Sequence, residues 1–173
     1  MVVVAEILKI TIPGLLVLLA TWLIMRNMLK SDQEKRRQEL VIQNSRTIVP
    51  IRLQAYERIV LFLERISLES MLVRISTPGV SASQLHSSLL TTIRSEFEHN
   101  LSQQIYMSPQ AWEVVRNARS NMIKLINGEF EKTPEGATGM DFSRRLLEAV
   151  MELDKEPTRV AIDFIKGEIG KMI

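Results

Sequence analysis

Ile10-Thr-Ile-Pro-Gly-Leu-Leu-Val-Leu-Leu-Ala-Thr-Trp-Leu-Ile-Met25 contains no charged residue. A helix buried in a globular core keeps a polar face, and this run shows none over about four turns. It falls slightly short of the roughly 20 residues that cross about 30 Å of hydrocarbon. Ile7, Leu8, Met28 and Leu29 extend it, and Lys9 and Arg26 can snorkel their charges to the interfaces. Trp22 stands near the end of the run, where an amphipathic ring favours the headgroup boundary. Pro13 falls near the start, where a missing amide costs least. A cleavable leader would need a basic start and a small-residue cleavage site, but Glu6 and Lys9 precede the core and Leu18-Leu19-Ala20 serves poorly. The stretch therefore predicts a single transmembrane helix within residues 1–30.

The flanking charges set its orientation. Only Lys9 precedes the core, whereas Arg26, Lys30, Lys35, Arg36 and Arg37 follow it. Positive residues stay on the cytoplasmic side, so the amino terminus is expected outside and the rest inside. With Trp22, these five cations form the expected membrane interface, each drawn to anionic lipid by about 1 kcal/mol. The lipid bilayer is thus the first expected partner.

Charge placement excludes a second class of partner. The sequence pI is near 9.0, but residues 1–49 carry a net charge of +3 and residues 50–173 one of −1. A nucleic-acid binder shows its basic footprint on the domain, and here it lies beside the anchor, so no nucleic acid is expected. The chain has no cysteine, which removes disulfides, thiolate metal sites and cysteine nucleophiles.

Beyond the anchor the pattern is helical throughout. Residues 31–49 form a polar stretch of good helix formers with Leu40, Val41 and Ile42 as its apolar exceptions. They are expected to make a helical stalk that Pro50 breaks or kinks, because proline disfavours helical geometry at Val49. Residues 51–67 place Leu53, Ala55, Tyr56, Ile59, Val60, Phe62, Leu63 and Ile66 over an arc of about 200°. Glu57, Arg58, Glu64 and Arg65 lie opposite, with Leu61 among them. Leu68 to Ile75 adds a short helical turn. Ser81 and Gln84 form a capping box for a helix striped by Leu89, Ile93, Phe97, Leu101 and Ile105. Ser108-Pro109 starts the next helix, which Asn127-Gly128 is expected to stop. After the loop 131–139 come a helix with Phe142, Leu146, Val150 and Leu153 inward and a last one burying Ala161, Phe164, Ile165, Ile169 and Met172. The expectation is an all-α chain: anchor 1–30, stalk 31–49, and a cytoplasmic bundle of four or five antiparallel helices over 50–173.

The strings Arg52-Leu-Gln-Ala-Tyr-Glu-Arg-Ile-Val-Leu-Phe-Leu-Glu-Arg-Ile66 and Glu96-Phe-Glu-His-Asn-Leu-Ser-Gln-Gln-Ile-Tyr106, followed by Ala111-Trp-Glu113, resemble a family of small single-pass bacterial proteins. That family is known from Bacteroidetes-type genomes as a domain of unknown function, and the resemblance covers most of the chain. It implies a bacterial inner-membrane protein with a cytosolic helical domain, and it brings no activity, ligand or partner with it.

Candidate chemistry is sparse. Glu96-x-x-His99 has the spacing of a di-iron bundle motif, but a full site needs a second such pair and two further carboxylates. The other histidine, His86, stands about 220° away around the same helix, so no metal and no cofactor are expected. Two histidines support no catalytic triad, and the seven scattered glycines form no phosphate loop. The mixed-sign band suits a solvated face. Leu61 within it, with Arg58, Arg65, Tyr106 and Trp112, forms the candidate partner-docking set. The expected function is a noncatalytic membrane-anchored tether, adaptor or accessory subunit that docks a protein partner. The competing reading is a small-molecule or metal-binding domain with enzymatic activity, and a third is self-association into a homo-oligomer.

Overall fold

The computed structural model describes the backbone of residues 2–171 and the side chains of residues 14–29, 39 and 46–171. Over these residues the chain is all-helical: α1 (Val2–Arg65), α2 (Leu68–Ile75), α3 (Ala82–Asn100), a 3-10 segment (Leu101–Tyr106), α4 (Pro109–Glu131), α5 (Gly139–Met151) and α6 (Pro157–Ile169). The chain divides into two compact units, Met1–Ile48 and Val49–Ile173.

In the first unit the described side chains from Gly14 to Leu29 are all solvent-exposed, although most are large and apolar. The Thr21 hydroxyl donates to the Val17 carbonyl at 2.8 Å, and the Arg26 guanidinium lies 5.2 Å from the Trp22 ring centroid. Among the described residues no helix is long and apolar enough to cross a membrane. The side chains of Ile10 to Pro13, which begin the uncharged run, lie outside the described residues. The side chains of Lys9, Lys30, Lys35, Arg36, Arg37 and Leu40 to Ile42, on which other expectations rest, lie outside the described residues. The helix continues through Pro50 rather than breaking there. Proline withholds one amide from the ladder, and the strongly patterned turns that follow hold the backbone helical.

In the second unit the last four turns of α1 supply the centre of the core. Tyr56, Ile59, Phe62, Leu63 and Ile66 are buried, and α2 to α6 pack around them through Met71, Leu89, Ile93, Val115, Met122, Phe142, Leu146, Ala161 and Ile165. The expected four or five helices become six, because Leu68–Ile75 is a helix of its own. Its first amide, that of Leu68, is capped at 2.8 Å by the carboxylate of Glu156, the N-cap residue of α6. The carbonyl of Arg65 at the end of α1 receives the Arg74 guanidinium at 2.5 Å.

The starts of α3 and α5 lie side by side. Ser81 and Thr138 form an isolated antiparallel bridge, with Gly139 N–H on Val80 O at 2.8 Å and Ala82 N–H on Ala137 O at 3.1 Å. Each bridging residue also closes a capping box, Ser81 with Gln84 and Thr138 with Asp141. The Thr138 hydroxyl and amide hold the Asp141 carboxyl below its ordinary range. Gly139 is required there, since a Cβ would meet Val80 Cγ2 at 2.7 Å and Val80 O at 3.0 Å.

Several helices differ from expectation. Helix α4 passes through Asn127-Gly128 to Glu131 because Phe130 stacks on His86 at 4.1 Å and Asn127 bonds the same ring at 2.8 Å. Phe164 is exposed, and Ile162 takes the inward position in α6. Most consequential is the end of α3. The Leu89–Ile93–Phe97 stripe stops being buried where the backbone tightens to 3-10 geometry, and Leu101 and Ile105 turn outward. Three residues per turn instead of 3.6 breaks the four-residue register of the stripe.

Candidate functional site

The outward turn of Ile105 builds one wall of a concavity in the second unit. A groove of about 840 Å³ runs between the exposed face of α1 and the 3-10 segment, lined by Ile51, Gln54, Ala55, Glu57, Arg58, Val60, Leu61, Glu64, Ser102, Gln103, Ile105 and Tyr106. Its apolar groups stand in solvent: Leu61 is 58% exposed, Ile105 76% and Tyr106 42%. Glu57, Arg58 and Glu64 enter no ion pair with any described residue.

The wall of the groove is fixed from behind. Arg52 Nε donates to the Tyr106 carbonyl at 3.0 Å, and Gln103 and Met107 turn inward. Next to them lies a polar clasp. The Tyr56 hydroxyl donates to Glu168 Oε1 at 2.5 Å and accepts from the Ser108 amide at 3.2 Å. The Ser108 hydroxyl donates to Glu168 Oε2 at 3.0 Å and accepts from the Ala111 amide at 3.0 Å, capping α4. Burial and the bond to the carboxylate push the Tyr56 phenol above its ordinary value. One ring thus ties α1, the start of α4 and the end of α6 together.

The groove offers apolar contact framed by charges of both signs. It brings no nucleophile next to a base, and among the described residues no three metal-ligating side chains come together. Glu96 and His99 do not converge. Glu96 accepts from Arg65 at 2.5 Å and faces Arg74 at 3.7 Å, while His99 Nδ1 lies 2.8 Å from the Ser95 carbonyl of its own helix.

The chain matches the family of unknown function DUF7935 over residues 2–172. It belongs to DUF7935. No curated protein and no solved structure matches it.

Within this DUF7935 chain the candidate docking residues separate into two groups. Leu61, Arg58 and Tyr106 share the groove. Arg65 stands one turn beyond Leu61 and is engaged by Glu96, which raises its already high pKa. Trp112 is elsewhere, stacked at 5.5 Å on Phe97 against the core, and Arg119 lies 4.3 Å over the other aromatic of that pair, Phe97. Of the expected interface residues with described side chains, Trp22 and Arg26 pair with each other. Sequence reasoning missed Ile51, Ile105 and the Tyr56–Ser108–Glu168 clasp. Ile105 carried a misleading signal, since its spacing put it on the buried stripe. The clasp spans 112 residues, and no local pattern announces it.

Proposed function

We propose that this chain is a noncatalytic interaction module, anchored in the bacterial inner membrane by its amino-terminal helix, with the α1 groove as its docking surface. The carrying observation is the groove: Leu61, Ile105 and Tyr106 stand exposed around about 840 Å³ of open space, framed by Glu57, Arg58 and Glu64, which form no ion pair with a described residue. Grooves of this build take the apolar face of a helix, with charges at the rim setting partner and register.

The anchor part of the reading rests on the uncharged run Ile10–Met25 and on the exposed apolar side chains of Leu15 to Leu29. A helix apolar on every side needs an apolar surrounding. A bacterium of the Bacteroidetes type, with the amino terminus outside and the second unit in the cytoplasm, follows from the sequence resemblance and the basic residues after the run.

The test uses the full chain in its native membranes. It is expected in the membrane pellet after an alkaline wash. Leu18→Arg, which places a charge near the middle of the run at a cost of about 2.5–3.5 kcal/mol, should shift it toward the soluble fraction. Leu61→Arg should leave it in the pellet and abolish co-purification of the docked protein. A wild-type chain that washes off refutes the anchor. Co-purification untouched by Leu61→Arg refutes the groove.

A further inference from the structure

We infer that the groove face docks a second copy of this chain, with two α1 helices side by side and parallel about a two-fold axis running along them. The inference rests on the reading of this face as a docking surface and names its occupant. Its basis is where the charges stand. At 100° per residue, Gln54 and Leu61 mark the middle of the exposed face of α1. Glu57 and Glu64 then form the edge on one side, and Arg58 and Arg65 the edge on the other.

These charges find no partners within their own helix. The positions three and four residues from Glu57, Arg58 and Glu64 hold no charged side chain, so the usual in-helix pairs are missing. No other described residue pairs with those three. Arg65 shares the Glu96 carboxylate with Arg74, which leaves a positive excess on the basic edge.

A parallel two-fold pair sets the acidic edge of each helix against the basic edge of the other. Glu57 of one copy then meets Arg58 of the other, and Glu64 meets Arg65, while Leu61 meets Leu61 on the axis. An antiparallel pair centred on Leu61 keeps each edge on its own side. It sets Glu57 against Glu64 and Arg58 against Arg65, which is repulsive. The charge pattern therefore selects the parallel arrangement, as rim charges do in paired helices. Copies confined to one bilayer meet at raised effective concentration, so a modest face suffices.

The absence of cysteine makes the test direct. Gln54→Cys, Leu61→Cys and, as exposed controls, Val73→Cys and Met151→Cys are each placed in the full chain in native membranes and treated with a short thiol crosslinker. Covalent dimer is expected at positions 54 and 61 at about tenfold the level at 73 and 151. In the Leu61→Cys background, Arg58→Glu should lower the yield about tenfold, and adding Glu57→Arg should restore it by exchanging both edges. Melting curves of the variants should match that of wild type, since every altered residue is exposed.

Three results would overturn the inference: yields at 54 and 61 no higher than at the controls, dimer at 61 with none at 54, or no recovery in the double reversal. If dimer is absent while Leu61→Arg still abolishes recovery of a different protein, the docking surface stands and the second copy is wrong. If neither responds, both readings fall.

Discussion

Tyr56→Phe removes a single oxygen from a ring that is fully buried. That oxygen donates to Glu168 at 2.5 Å and accepts from the Ser108 amide at 3.2 Å. A hydrogen bond to an ionised carboxylate contributes about 1.5–3 kcal/mol, and a buried amide left without an acceptor costs about 1–3 kcal/mol. Ser108 is only half buried, so water recovers part of the second term, and the expected loss is about 3 kcal/mol. For a unit of this size that lowers the melting temperature by roughly 10–15 °C, read by far-ultraviolet circular dichroism on the full chain. The pH dependence gives a second reading. The phenol's pKa is raised in the folded state from its ordinary 10.0. Its contribution is therefore complete below 10.0 and is lost as pH rises through the folded value. Phenylalanine has no such proton, so the gap between the two proteins should narrow as pH rises above 10.0. A loss under about 1 kcal/mol, or a gap that holds constant into alkali, would refute the account of the clasp.

Other outcomes follow from the same geometry. Gly139→Ala should destabilise by about 1–3 kcal/mol, because its Cβ would press on Val80 from 2.7 Å. Gly128→Ala, inside α4 with nothing within 4 Å, should stabilise by about 0.5–1 kcal/mol; thermal melts of the two variants check both signs. Asp141→Ala should lower the melting temperature at neutral pH. Its carboxyl is held below the ordinary 3.8 by Thr138, so that stabilisation exists above 3.8 and disappears as pH falls through the lowered value, where the two melts should converge. Met140→Cys places the only thiol on an exposed site of the second unit. In intact cells it should resist an impermeant thiol reagent and react once the inner membrane is opened, whereas labelling of intact cells would reverse the topology.

Helix identities were legible wherever one local rule decided them. In α4 the expected seam of Ala111, Val115, Ala118, Met122 and Leu125 is buried through Met122, after which Ile126 is buried in place of the half-buried Leu125, and the Ser81–Gln84 box and the Ser108-Pro109 start stand where the residues placed them. Reading failed where a distant contact outweighed a local signal. Asn127-Gly128 is a good stop signal, yet the stacking of Phe130 on His86 carries α4 past it. Leu101 and Ile105 continue a four-residue spacing, yet a change of helical pitch turns them to solvent. Leu61 and Arg58 stand together on the exposed face of α1, where a leucine among charges is conspicuous, and the fold brings Tyr106 to the same groove. Trp112 was grouped with Tyr106 as an apolar patch near a helix junction, and its ring stacks on Phe97.

The clasp and the groove stand back to back, which separates stability from docking in a way experiment can use. Tyr56, Ser108 and Glu168 act on the buried side of the same backbone that shows Leu61 and Tyr106 to solvent. The Tyr106 carbonyl is held by Arg52, so its ring presents itself without contributing to the core. The Leu61 backbone belongs to a helix whose opposite face buries Ile59, Phe62, Leu63 and Ile66. Removing an exposed group from such a support exposes no apolar core and orphans no buried polar atom, the two causes of large destabilisation. Substitutions at Leu61 and Arg58 should therefore change association at constant melting temperature, and substitution at Tyr56 should do the reverse. A Leu61 variant that melted several degrees lower would mean that this leucine supports the fold, and the groove would then lose its standing as a surface kept for a partner.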